Sequence, residues 1–139
     1  MNHYWLTLKG KTMKNEKKTP GVKFPARLLN PIKNFLESEL IKLKRQKKSL
    51  KQSDPFSDPG RTTENSFEED LDEQIGHFDS EIKVNFVNKQ IVQLRKSLTR
   101  LRIGKYGICE KCGKMIDTDR LAIKPDATTC VKCTKESEN

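Results

Sequence analysis

Cys109-Glu110-Lys111-Cys112-Gly113, and then Cys130-Val131-Lys132-Cys133 after the interval 114–129, hold all four cysteines of this 139-residue chain. A Cys-x2-Cys pair makes a tight knuckle that turns two thiolates toward one ion, and two knuckles complete a tetrahedron. Gly113 follows the first pair directly, where a knuckle needs a residue free to take positive φ. Lys111, Lys114 and Lys132 stand close by and offset part of the charge of four thiolates. Disulfides would require an oxidising compartment, which nothing else in the sequence suggests. A redox pair of the thioredoxin type would need a βαβ setting, and a catalytic zinc would keep one position open for water. The reading is one structural Zn2+ held by Cys109, Cys112, Cys130 and Cys133. The metal should supply much of the folding energy of residues 103–135.

Working back from the finger, the sequence predicts a long helix. Ser66-Phe67-Glu68-Glu69 reads as a capping box, acids crowd the first turns, and the helix should run to about Arg102, on the order of 55 Å. Its apolar residues fall into two phases. Leu71, Ile75, Phe78 and Ile82 form one seam; Val87, Ile91, Leu94, Leu98 and Leu101 form another. Asn85 and Lys89 stand where the first seam would have continued. Residues 53–65 carry two Asp-Pro pairs and a Gly, which no helix survives, so they form a turn. Before the turn, Asn30-Pro31 reads as a cap and first helical position. From there Leu36, Leu40, Leu43, Lys47 and Leu50 follow helical spacing to about Gln52.

These elements predict a mainly α fold: an antiparallel two-helix coiled-coil hairpin over 21–102, with its tip at about 53–70, and a zinc finger over 103–135. A hairpin centred near residue 59 pairs numbers that total roughly 118. The phase slip would then fall where the first helix begins, above which the second helix meets Val22, Phe24, Leu28 and the cysteine module. Both seams are read as core packing. Residues 1–20 read as a disordered basic tail and 136–139 as a disordered end. Met13, followed by Lys14-Asn15-Glu16-Lys17-Lys18, is an alternative start. Gly76-His77 interrupts the long helix, implying a kink or a close contact, with His77 read as facing solvent.

Charge is distributed in blocks. Of the 28 Lys/Arg and 19 Asp/Glu that give a net +9, the acids concentrate in the middle of the chain, over residues 54–82, between two basic flanks. A purely electrostatic nucleic-acid binder has no use for an acidic middle, whereas a partner with surfaces of both signs does. No stretch is apolar for long enough to span a membrane and no signal-peptide pattern opens the chain, so the expected location is cytoplasmic.

The stretch Gly104-Lys105-Tyr106-Gly107-Ile108-Cys109, then Gly113, Ile116, Arg120-Leu121-Ala122, Pro125, Ala127 and the second cysteine pair, resembles the zinc finger of the DksA/TraR family. Leu94-Arg95-Lys96-Ser97-Leu98-Thr99-Arg100-Leu101 resembles that family's helix leading into the finger. The resemblance implies a regulator that binds bacterial RNA polymerase rather than DNA. Its hairpin enters the secondary channel and modulates initiation, often together with guanosine tetraphosphate, and a monomer is expected. The family's Asp-x-x-Asp-x-Ala tip signature is not intact. Asp58-Pro59-Gly60-Arg61 matches part of it, whereas distance to the finger selects Glu69, Asp70 and Asp72. These four acids are the partner-binding candidates, against a plainer role as turn and helix-start residues. Lys89, Arg95 and Lys96 are candidate anion or nucleotide contacts, against a solvated basic face. The competing function is a zinc-ribbon protein that binds nucleic acid through its basic faces, although Tyr106 stands without an array of aromatics for stacking bases. Nothing resembles a catalytic set, so no enzyme is expected.

Overall fold

The computed structural model describes residues 24–60 and 66–138. The expected tail, both start candidates and Val22 lie outside them. Four α-helices and one 3-10 turn are present among the described residues: α1 (Ala26–Gln52), the turn Pro55–Ser57, α2 (Phe67–Arg102), α3 (Thr118–Ile123) and α4 (Val131–Glu138). Beyond helices, the described residues hold one isolated antiparallel bridge, Ile108 to Met115. The architecture is the expected two-helix hairpin carrying a cysteine module at its open end.

α2 starts where its capping box predicts. Ser66 Oγ accepts from the Glu69 amide, and the Ser66 amide donates to the Glu69 carboxylate at 2.9 Å. Glu68, Glu69 and Asp70 occupy the first turn and Arg100 and Arg102 the last, the order that the helix dipole favours. α1 starts earlier than its sequence signal. Pro25 stands at the cap and Pro31 lies inside the helix. The additional turn carries Leu29 into the cluster around the finger, beside Ile32, and that burial offsets the backbone bond lost at Pro31.

Two apolar clusters make up the core. Tyr106, Cys109, Ile116, Leu121, Ala127 and Cys133 form the finger cluster, against which Phe24, Leu29, Ile32 and Leu101 pack. Leu36, Leu94 and Leu98 form the hairpin cluster, joined by Ile32, Leu40, Leu43 and Leu101. Ile32 and Leu101 belong to both, so finger and hairpin share one continuous core.

The hairpin register differs from the expectation. Asp54 bonds His77, and Pro55 lies against Gly76, where an added Cβ would stand 3.0 Å from Pro55 Cγ. Numbers facing each other thus total 131 rather than roughly 118. α1 and the turn after it are not mirror images of α2, because α2 runs on past the level of Asp54 by ten residues, about 15 Å. Gly76 is therefore a close-contact glycine.

The phase slip consequently has another cause. Val87, Ile91, Leu94 and Leu98 are buried on the face of α2 turned toward α1, while Leu71, Ile75, Phe78 and Ile82 are exposed. The first seam is not core; it lies on the outer face of α2. At the C-terminal end, Glu136, Ser137 and Glu138 continue α4 rather than forming a disordered end.

Candidate metal centre and hairpin tip

The first knuckle is built by backbone geometry. The Gly113 amide donates to the Cys109 carbonyl at 3.0 Å, the Cys109 amide donates to the Lys114 carbonyl at 2.8 Å, and Gly113 adopts φ +69. The second pair sits at the start of α4, where Cys133 is buried and the Cys130 amide donates to Cys109 Sγ at 3.3 Å. All four Sγ atoms lie within 4.8 Å of one another, and Cys112 and Cys130 approach to 3.7 Å. A tetrahedron with Zn–S near 2.3 Å has edges of about 3.8 Å, so the cage fits a zinc ion.

Electrostatics give the same answer. Burial works against ionising Cys109, but the amides of Cys112, Cys130 and Lys111 outweigh it and hold the thiol down to about 6. The Cys133 amide lowers Cys130 as well. Cys133 is pushed up to about 12, first by its hydrogen bond with Cys130 and then by burial. Four thiols in one cage cannot all ionise against each other, and a divalent cation removes that obstacle. Zinc here is structural: four sulfurs leave no position for substrate or water.

The finger is fastened to the hairpin at several points. Ser97 Oγ and Gln93 Nε2 each donate to the Asp126 carbonyl at 2.7 Å, and Arg100 donates to the Ile108 carbonyl. Tyr106 is buried edge-on against Phe24, with its hydroxyl donating to the Pro125 carbonyl at 2.8 Å. Gly107 takes φ +78 beneath the same Phe24. Lys96 Nζ is held by the Glu110 carboxylate at 2.8 Å. Lys89 and Arg95 are exposed, and at 100° per residue Arg95 points well away from the face shared by Lys89 and Lys96. The three basic candidates are therefore not gathered into one anion site.

At the other end, Asp58 accepts from the Gly60 amide at 2.8 Å and Glu69 closes the capping box. Asp70 and Asp72 are exposed on the projecting turns of α2. Beneath them lies an arrangement that the sequence did not reveal. Asp54 receives the Phe56 amide and bonds His77 Nδ1 at 2.8 and 2.9 Å, while the Phe56 ring stacks on the imidazole at 4.3 Å. The His77 bond, together with the Phe56 amide, holds the Asp54 carboxyl below its ordinary value despite an opposing effect of burial. His77 is a half-buried member of the tip contact rather than a freely solvated side chain. The signal available in the sequence was Gly76, which admits Pro55 and so brings Asp54 alongside.

Fold and centre together define a two-helix hairpin protein carrying a structural four-cysteine zinc finger. Residues 104–139 match the prokaryotic dksA/traR C4-type zinc finger. The transcription factor DksA2 of Pseudomonas aeruginosa has a similar fold, with a TM-score of 0.64 at 19% identity over 79% of this chain and 82% of that one. An uncharacterized protein of Aquifex aeolicus is 38% identical over 71 residues, 48% of this chain and 49% of the relative. The chain thus spans about half the length of the curated relative it matches. Residues 104–139 of this chain are thus a zinc finger of the dksA/traR C4 type.

Proposed function

We propose that this protein is a transcription regulator that binds bacterial RNA polymerase, inserts its acidic-tipped hairpin into the secondary channel and modulates initiation. The observation that carries the reading is the distribution of charge along one rigid probe. Asp58, Glu69, Asp70 and Asp72 lie at the end of the hairpin farthest from the finger, while Lys and Arg dominate α1. A narrow hairpin projecting from a zinc-anchored base suits entry into a channel, and a monomer suits a narrow one. Tip acids on projecting turns can approach a metal-dependent active centre without changing the hairpin itself. The protein acts by occupancy and charge rather than by catalysis, and guanosine tetraphosphate is not needed for the reading. No helix among the described residues is long and apolar enough to cross a membrane.

A second reading rests on Lys44, Lys47, Lys48 and Lys51, which line an open cleft of about 490 Å³ with Gln52 and Ser57. Such a row could follow a phosphate backbone and make the protein a direct nucleic-acid binder.

The test is a pull-down of the zinc-loaded chain with core RNA polymerase, beside a DNA titration across salt. Polymerase binding without DNA affinity is expected. Salt-sensitive DNA binding without polymerase would instead favour the lysine row.

A further inference from the structure

Phe67, Leu71, Ile75, Phe78, Ile82 and Phe86 follow one another on α2 at steps of three and four residues. All six are exposed, by 41–78%. At 100° per residue they fall within an arc of about 100°, diametrically opposite the buried Val87, Ile91 and Leu98 that face α1. α2 therefore has two apolar faces, and only one is covered by the described residues. The outer stripe presents on the order of 700 Å² of apolar surface, close to the roughly 800 Å² per partner of a stable interface. A soluble surface rarely carries a contiguous patch of that size without a use for it.

The border of the stripe says what would cover it. Glu68, Asp72 and Asp79 run along one side and Asp70 and Glu81 along the other. Lys83 is the one Lys or Arg between 66 and 86, and it is tied to Asp79 at 2.6 Å. A second copy laid on the stripe would bring two acidic borders together, and an anionic membrane would be repelled by them.

We propose that the outer face of α2 docks an amphipathic helix of a partner protein, with apolar residues at three-and-four spacing flanked by Lys and Arg. The pairing resembles a coiled coil in which the flanking charges choose the partner. It stands on the hairpin's surface alone and does not depend on polymerase binding.

The test uses the full zinc-loaded chain and two fluorescent 21-residue probe peptides. Both carry Leu at the stripe spacing, one flanked by Lys and the other by Glu. Anisotropy should report binding of the Lys peptide at least about tenfold tighter than its Glu twin. Phe78→Ser/Ile82→Ser should weaken it by at least about tenfold, with helicity and zinc content unchanged. Asp70→Lys/Asp72→Lys, one exposed carboxylate from each border, should move the preference toward the Glu peptide. Equal binding of both peptides, no binding of either, or an unchanged affinity in the Phe78/Ile82 variant would overturn the proposal. So would stripe-dependent dimerisation in sedimentation, or stripe-dependent binding to phosphatidylglycerol vesicles, in preference to the Lys peptide.

Discussion

At the scale of single residues, the zinc centre makes the sharpest demands. Cys109 and Cys130 come from different knuckles and are joined by the Cys130 amide, so losing either sulfur opens the cage from both sides. Cys109→Ser or Cys130→Ser should abolish stoichiometric zinc and unfold the finger while α1 and α2 remain helical toward the tip. Zinc titration with a chromogenic chelator and far-ultraviolet circular dichroism measure the two effects; full zinc content with unchanged melting would refute the structural role. Gly107 makes a different demand. Its φ of +78 disfavours any side chain, and an added Cβ would stand 2.8 Å from the Phe24 ring. Gly107→Ala should cost about 2 kcal/mol of stability, read from chemical denaturation, whereas Gly104→Ala, with open space around it, should cost less. The cysteines were fully legible in the sequence because spacing alone defines a knuckle. The reason for Gly107 was not, because it depends on an aromatic ring more than eighty positions earlier in the chain.

At the scale of elements, the ends of α2 were readable from local chemistry, while register was not. Ser66 and Glu69 satisfy each other within one turn, so the start of α2 needed no knowledge of the fold. Register depends on which faces meet across the hairpin, and two apolar phases on one helix gave two candidate faces. The phase nearer the tip reads as core in the sequence because periodicity reports that a face is apolar, not that it is covered. The Asp54–His77 contact settles the alignment and also yields a pH dependence. A carboxyl held below its ordinary value stabilises the native tip above the unfolded value, about 3.9, and that stabilisation is lost as pH falls through the depressed folded value. The amide resonance of Phe56, which the Asp54 carboxylate accepts, should therefore titrate below the ordinary aspartate range. In His77→Ala it should move back up toward that range, and an unmoved midpoint would remove His77 as the cause.

At the scale of the whole molecule, zinc and hairpin are one folding unit at the base and separate toward the tip. Phe24, Leu29, Ile32 and Leu101 pack on the finger's core, so stripping the metal should loosen the first turn of α1 and the last turn of α2 together. Hydrogen exchange with and without a chelator should show lost protection at 103–135 and at both of those ends, with Leu40–Leu50 little changed. Function belongs to this scale too. Under the proposed function, Asp58→Asn and the pair Asp70→Asn/Asp72→Asn should leave polymerase affinity within about twofold while reducing or abolishing the change in open-complex lifetime. Equal loss of affinity and effect would make these acids docking contacts instead. The charge blocks that motivate this prediction were plain in the sequence, but the four tip acids could not be ranked without knowing how far α2 runs past the level of Asp54. The sharing of Ile32 and Leu101 between both clusters has a mechanical meaning as well. The two helices are riveted at one end by metal and a common core, and are tied at the other by the connecting turn, where Pro55 meets Gly76 and Asp54 meets His77. Held at both ends, the helices cannot slide past one another, so the alignment set at the tip is carried along the whole length of the probe.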